Sequence, residues 1–121
     1  KILFVGLRNW ERGEIKARQH QYGIKHLTPE EVAADSDALR AWLKSCGASK
    51  VVVHFDMDVL DPAEIVAAVG TDPDGMKIEA VIRVINDIAA EKELVGLTVA
   101  EPMPRTAIRL RDMLGRLPLL E

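Results

Sequence analysis

The sequence predicts an α/β domain built as a three-layer sandwich, in which a parallel sheet carries helices on both of its faces. Short apolar runs at residues 1–7, 51–55 and 94–100 are typical of buried strands. Residues 28–45 and 77–92, which lie between these runs, have the apolar spacing of helices. Because strands and helices alternate, we expect right-handed crossovers and parallel pairing of the strands.

Bulk composition limits the functions to consider. The chain has 121 residues, is 48% hydrophobic and carries a net charge of −3, which suits one globular domain over residues 1–121. A slight acidic excess and few aromatic residues argue against a nucleic-acid partner. No apolar run reaches membrane-spanning length, so no membrane partner is expected. Cys46 is the single cysteine, which excludes an internal disulfide and favours a cytoplasmic protein.

The first strand ends near Gly6, so the residues after it lie at its carboxyl end. These residues are Arg8, Asn9, Trp10 and Glu11. Arg8 has two interpretations at this stage, a surface ion pair or a residue of a functional site. Residues 11–21 are expected to form a short irregular helix with a solvated His20. Residues 22–27 are expected to form a short strand or loop that contains His26.

Helix signals are strong at Thr28. Thr28 is expected to cap the helix, Pro29 to take its first position, and Glu31 to complete a capping box. The predicted helix continues to about Ser45 and ends at Gly47. Its buried face is expected to contain Val32, Leu39, Leu43 and Cys46. Cys46 is therefore interpreted as core packing and not as a nucleophile.

The central feature is the stretch from Val51 to Pro62. Three consecutive valines predict a strand buried on both faces, and Asp56, Asp58 and Asp61 follow. In a strand, Asp56 and Asp58 would point to the same side of the sheet. Ligands bind at the carboxyl ends of strands in such folds, and paired carboxylates suit hard divalent cations. The alternative for Asp61 is an ordinary turn with the following proline.

The rest of the chain repeats this organisation. Residues 63–69 are expected to form one or two helical turns, and residues 70–75 a loop whose Asp72 and Asp74 suit either a turn or a cation. The strand over residues 94–100 delivers Glu101 to the same edge as Asp56, where it is either an ordinary surface residue or part of the site. A last helix is predicted over 105–117, with its apolar side chains inward: Ile108, Leu110, Met113, Leu114 and Leu117.

Two segments resemble the ureohydrolases, the family of arginase, agmatinase and formiminoglutamase. The segment from His54 to Pro62 resembles the family's second metal-binding signature, with Asp-x-Asp followed by Asp-Pro. The segment from Gly96 to Pro104 resembles the following strand, which ends in a glutamate near a proline. The resemblance extends loosely from Val5 to the C-terminus. It implies the C-terminal portion of a three-layer α/β domain.

The resemblance also implies a chemistry. Members of the family hold two manganese ions and hydrolyse a guanidino or related substrate, and many of them release urea. By resemblance, Asp56 and Asp58 would be metal ligands and Glu101 would contact the substrate guanidinium. A carboxylate suits that planar cation because it accepts paired hydrogen bonds. No residue of the chain is assigned as catalytic.

The family's Asp-x-His-x-Asp segment is absent from this chain. We therefore interpret the sequence, which begins inside an apolar strand without a methionine, as a piece of a longer protein. We expect weak metal affinity and no urea formation by this piece alone. An exposed sheet edge is expected to cause self-association or homo-oligomers.

Two other functions remain open at this stage. Phe55 to Asp61 also resembles the first motif of haloacid-dehalogenase-like phosphatases, where Asp56 would be the nucleophile with Mg²⁺. The third interpretation is a non-catalytic interaction fragment.

Overall fold

A computed structural model describes residues 1–8, 13–70, 72–103 and 107–120. The described strands are β1 (Leu3–Val5), β2 (Lys25–Leu27), β3 (Lys50–Asp56) and β4 (Glu93–Ala100). The described helices are α1 (Gly13–Gln21), α2 (Asp37–Ser45), α3 (Ile78–Glu91) and α4 (Ala107–Leu114). The alternation of strands and helices confirms the predicted α/β class.

All strand pairing within the described residues is parallel, as predicted. β1 pairs with β2, and β3 pairs with β4. The two ladders do not join in the described part of the chain, so the sheet consists of two parallel pairs there. In the longer pair His54 lies opposite Thr98 and Asp56 lies opposite Ala100. The register places the ends of β3 and β4 side by side at one edge.

The two faces of β3 differ, and the prediction of a strand buried on both faces is wrong. Val51, Val53 and Phe55 face the apolar core, and Phe55 is 4% exposed. Val52, on the opposite face, is 66% exposed. Within the described residues only one face of β3 is packed, which explains why more buried and exposed side chains alternate along the strand. The valine run therefore signals strand propensity here and not burial on both sides.

The helix over residues 77–92 is confirmed as α3, which begins after Lys77 and ends before Lys92. Its apolar face forms the centre of the core together with α2 and the loop after β3. The buried side chains of α3 are Ala80, Val81, Ile82, Val84, Ile85 and Ile88. Cys46 is buried and free, as predicted.

The predicted helix over 28–45 is interrupted. The capping box is confirmed, because the Thr28 amide donates to Glu31 at 2.8 Å and the Glu31 amide donates to the Thr28 hydroxyl at 3.4 Å. However, a short 3₁₀ helix over Glu30–Val32 ends before α2 begins at Asp37. In the interruption, the Arg83 guanidinium of α3 donates to the carbonyl oxygens of Val32 and the next residues.

Several other predictions have clear outcomes. Residues 25–27 form a strand, and His26 bonds to Gln19 at 2.8 Å while His20 is solvent-exposed. The last helix, α4, ends at Leu114 and not at 117; its Leu110 and Met113 are buried as predicted, and so is Leu117, which lies after the helix. Asn9, Trp10, Glu11, Arg105 and the Ile108 side chain lie outside the described residues. Among the described helices, none is both long and apolar enough to span a bilayer.

Candidate active site

The candidate site lies where β1, β3 and β4 end. Arg8 follows β1, Asp56 ends β3, and Glu101 follows Ala100, the residue that lies opposite Asp56 in the ladder. Two further contacts tie these ends together. Arg8 donates to the carbonyl oxygen of Asp58 at 2.7 Å, and the Met103 amide donates to the carbonyl of Ala67 at 2.8 Å. The residues that the sequence predicted to lie at one edge are therefore found in the same region of the molecule.

Asp56 has a local structural role as well as its place at the edge. It is exposed, and its Oδ1 accepts a hydrogen bond from the Asp58 amide at 3.0 Å. This bond caps a 3₁₀ turn over Met57–Val59. The expected strand geometry for Asp56 and Asp58 is wrong, because β3 ends at Asp56 and the turn begins directly afterwards. The burial of Met57, which is 1% exposed, fixes the direction of that turn.

Asp58 is partly buried and its carboxylate is oriented by Gly70. The Gly70 amide donates to Asp58 Oδ1 at 2.9 Å. A Cβ atom at position 70 would lie 2.6 Å from the carboxyl carbon of Asp58, so the glycine permits this close approach. The sequence contained both residues, but no pattern in it related positions that are 12 apart.

Asp61 shapes the loop and uses both of its carboxylate oxygens for this. Oδ1 accepts from the Ala63 amide at 2.8 Å and Oδ2 accepts from the Gly75 amide at 3.1 Å. A parallel bridge between Leu60 and Met76 adds two main-chain bonds at the same place. Of the two interpretations of Asp61, the structure supports the turn.

Arg8 is neither a surface residue nor part of an ion pair within the described chain. It is partly buried, and its guanidinium donates to the main-chain oxygens of Asp58, Leu60 and Asp72. The sequence placed Arg8 at the correct edge but did not indicate these partners. Every residue has a main-chain oxygen, so acceptors of this kind have no sequence signature. A cation directly after an apolar strand was the available signal.

Glu101 is exposed and has a left-handed backbone conformation, with φ of 61°. This conformation is uncommon for a residue with a side chain and stores backbone strain, and such strain clusters at functional sites. Glu101 is followed by Pro102, and the contact of Met103 with Ala67 anchors the segment. The strain is therefore held in place by its surroundings.

His54 lies on the open face of β3, two residues before Asp56. Its Nδ1 lies 2.7 Å from the hydroxyl oxygen of Thr98 on β4. His54 and Thr98 lie opposite each other in the two strands, and the hydrogen bond between their side chains orients the imidazole. The sequence assigned no role to this pair.

The fit to a metal is partial. Asp56 and Asp58 provide the carboxylate oxygens that hard divalent cations prefer. Within the described ranges, however, no group of three or more histidine, cysteine, aspartate or glutamate residues is placed to hold a metal ion. The described residues therefore offer part of a ligand set and do not form a complete metal site.

These features define a parallel α/β domain that presents carboxylates at the carboxyl ends of its strands. Comparison with known proteins specifies the family. The model of the arginase family matches residues 1–113, and the chain belongs to this family. The match does not favour the phosphatase alternative.

Individual relatives agree with this assignment. The N(omega)-hydroxy-L-arginine amidinohydrolase of Streptomyces lavendulae is 32% identical over 101 residues, covering 84% of this chain and 34% of the relative. The N(1)-aminopropylagmatine ureohydrolase of Thermus thermophilus is 26% identical over 104 residues, covering 85% of this chain and 34% of the relative. The chain thus spans about a third of the length of these curated relatives.

The fold is also that of the family. The crystal structure of Helicobacter pylori arginase superposes with a TM-score of 0.75 over 92% of this chain and 42% of that chain, at 13% identity. At this identity the likeness concerns the fold alone. The predicted arginase-like α/β fold, in partial form, is confirmed.

Proposed function

We propose that the chain forms the C-terminal part of a binuclear manganese hydrolase that acts on a small guanidino substrate and releases urea. The observation that carries the proposal is the placement of Asp56 and Asp58 at the carboxyl end of β3 in a chain that matches the arginase family over residues 1–113. Membership of the family supports hydrolysis of a guanidino compound at the level of the class. The particular substrate and the metal are part of the proposal.

Each site residue has a proposed role. Asp56 and Asp58 bind manganese through carboxylate oxygens, and such a metal pair supplies Lewis-acid chemistry when bound. Glu101 accepts hydrogen bonds from the guanidinium of the substrate, because a carboxylate matches the planar N–H donors of that cation. The left-handed backbone at Glu101 supports this role, since strain of this kind is retained where a side chain must point in a particular direction.

The remaining ligands are proposed to come from residues other than those described. The two aspartates supply only part of a ligand set, so the chain alone is expected to bind manganese weakly and to release no urea. Metal affinity falls steeply when ligands are lost, because each missing ligand leaves the ion partly hydrated and less firmly held. The compartment is proposed to be the cytoplasm, in keeping with the free thiol of Cys46.

A metal titration with an activity assay tests this proposal. Mn²⁺ is added to the intact chain and to the double variant Asp56→Asn/Asp58→Asn, and binding is followed by calorimetry. Arginine and agmatine are then offered and urea is measured. We expect weak binding by the wild-type chain, no binding by the double variant, and no urea from either. Equal binding by both proteins would overturn the metal role, and urea formation by the wild-type chain would overturn its incompleteness.

We also propose that the chain self-associates through the open side of the β3–β4 pair. Within the described residues β3 and β4 pair only with each other, which leaves one edge of each strand open, and Val52 and Val95 add exposed apolar side chains on these strands. Light scattering after size exclusion would give a mass above 13.4 kDa that depends on concentration. A constant mass of one chain would contradict the proposal.

A further inference from the structure

Within the described chain, Arg8 is a cation at the candidate site whose hydrogen-bond partners are main-chain oxygens. Nη1 donates to the carbonyl of Asp58 at 2.7 Å. Nη2 donates to the carbonyls of Leu60 at 3.2 Å and Asp72 at 3.0 Å, and Nε donates to the carbonyl of Pro73 at 3.4 Å. One side chain therefore connects the end of β1, the segment after β3 and the turn that begins at Asp72.

This arrangement requires the shape of an arginine. The guanidinium is planar and presents five N–H donors in a fork, whereas the ammonium of lysine places its donors at a single point. The surroundings are shaped to admit it as well. A Cβ atom at Gly75 would lie 2.3 Å from Arg8 Nη2 and within 2.7 Å of the main chain of Leu60 and Asp61, so both the guanidinium and this main chain need a glycine at position 75.

We propose that Arg8 is a positioning residue for Asp58, a proposal that rests on the metal-binding role proposed above for that carboxylate. Asp58 is held twice. Arg8 holds its main chain, and the Gly70 amide holds its carboxylate at 2.9 Å. Because Arg8 also holds Asp72, two positions after Gly70, it keeps the Gly70 amide against Asp58. Arg8 thus influences the direction of the Asp58 carboxylate through two main-chain contacts, one at Asp58 itself and one at Asp72.

The chain contains a matched control for this proposal. Arg83 is also a partly buried guanidinium bound to main-chain carbonyls, those of Val32, Ala33 and Asp35. These partners belong to the segment before α2, and none of the candidate site residues is among them. Loss of Arg83 should therefore weaken the fold without changing Asp58.

The experiment uses ¹⁵N-labelled intact chain as wild type, Arg8→Lys, Arg8→Gln and Arg83→Lys. The first readout is hydrogen exchange of the Gly70 and Gly75 amides. The second is the broadening of the Gly70 amide signal by small amounts of Mn²⁺, used as the metal alone. Thermal unfolding midpoints show how far each variant is destabilised overall.

In both Arg8 variants we expect exchange at Gly70 and Gly75 to become about tenfold faster, the change expected when one to two hydrogen bonds of ordinary strength are lost. The Mn²⁺ concentration that gives half-maximal broadening should rise about tenfold, because the carboxylate is no longer held in one direction. Arg83→Lys should lower the unfolding midpoint and leave both site readouts as in the wild type.

Several results would overturn the proposal. Wild-type exchange and broadening in both Arg8→Lys and Arg8→Gln would show that Arg8 does not position Asp58. Equal loss of Mn²⁺ response in Arg83→Lys would show a general effect of stability. If the wild-type chain shows no selective broadening, the proposed metal role fails and the exchange data alone decide on Arg8. If both Arg8 variants unfold, the measurements are repeated in trimethylamine N-oxide, which favours folded proteins, and wild-type exchange at Gly70 in the refolded variants would contradict the proposal.

Discussion

Two arginines hold main-chain carbonyls in two regions of this molecule, and their surroundings differ. Arg83 holds the segment before α2, where Val32, Leu39 and Ile85 provide a continuous apolar contact. Arg8 holds the segment after β3, where the loop conformation depends on polar bonds made by Asp58 and Asp61. Both regions bury apolar side chains, since Met57, Leu60 and Met76 are buried beside the site edge, but only at the edge do directed hydrogen bonds also fix the carboxylates.

The two regions should therefore tolerate different kinds of substitution. Apolar burial is not directional, so the helical side should lose stability in proportion to the volume removed. Hydrogen bonds are directional, so the edge should lose its geometry after a change that removes little volume.

The largest effect is expected in the apolar region. Leu39 of α2 is 1% exposed, and Leu39→Ala should lower the free energy of unfolding by about 2–5 kcal/mol because it leaves a cavity. Ile15 of α1 is 51% exposed, and Ile15→Ala should change the free energy by no more than about 0.5 kcal/mol. Urea denaturation of both variants gives the comparison. Equal midpoints would contradict the assignment of the core to α2 and α3.

The next effect concerns the edge. Gly70→Ala places a Cβ atom 2.6 Å from the Asp58 carboxyl carbon, which forces the carboxylate away. Overpacking of this kind should cost about 1–3 kcal/mol. The expected loss of Mn²⁺ response is larger than this stability loss suggests, because the carboxylate changes direction.

A second glycine provides the control for this substitution. Gly96→Ala places its Cβ atom 3.5 Å from the Val52 side chain, which is an ordinary contact. Gly96→Ala should keep both the stability and the Mn²⁺ response of the wild type. A Gly70→Ala protein with a wild-type Mn²⁺ response would show that Asp58 needs no fixed direction.

A third prediction concerns Arg83 itself. Arg83→Gln removes the donors that hold the carbonyls of Val32, Ala33 and Asp35 and should lower the free energy of unfolding by about 1–3 kcal/mol. Arg111, whose side chain is 88% exposed, is the control, and Arg111→Gln should be neutral. Guanidinium chloride denaturation measures both. Equal stability of the two variants would mean that apolar burial alone holds the segment before α2.

The sequence predicted the elements of this fold because their signals are local. The capping box at Thr28 and the apolar spacing of α3 depend on residues three or four positions apart, and both are confirmed. The contact that holds the interruption before α2 was not predictable, because Arg83 is about 50 positions away from the carbonyls that it binds.

The candidate site, like the fold, was predictable only in part. The edge that carries Asp56, Asp58 and Glu101 followed from strand ends and from the resemblance to the ureohydrolases. The contacts that orient Asp58 were not visible, since Arg8 and Gly70 bind it through main-chain atoms. Position along the chain therefore predicted where the site lies, but it did not predict how its carboxylates are held.

The smallest effect is expected at an exposed ion pair between α3 and the segment after α4. Arg116 donates to both carboxylate oxygens of Glu79, at 2.7 and 2.6 Å. These hydrogen bonds hold the pKa of the Glu79 carboxyl below its ordinary value of 4.5. Because the pKa is lower in the folded than in the unfolded chain, the pair stabilises the fold above about pH 4.5 and ceases to do so as the pH falls through the lowered pKa.

Thermal unfolding of the wild type and Glu79→Gln between pH 3 and pH 7 tests this pair. The wild type should have a slightly higher midpoint at pH 7, and the two curves should converge at acid pH. The comparison isolates Glu79, because the pKa of Glu30 is also held low, by main-chain hydrogen bonds and by Thr28, in both proteins. A difference that grows as the pH falls would have the wrong sign. It would show that Glu79 does not stabilise the fold as a carboxylate, so the contact between α3 and the end of the chain would depend on the apolar burial of Leu117.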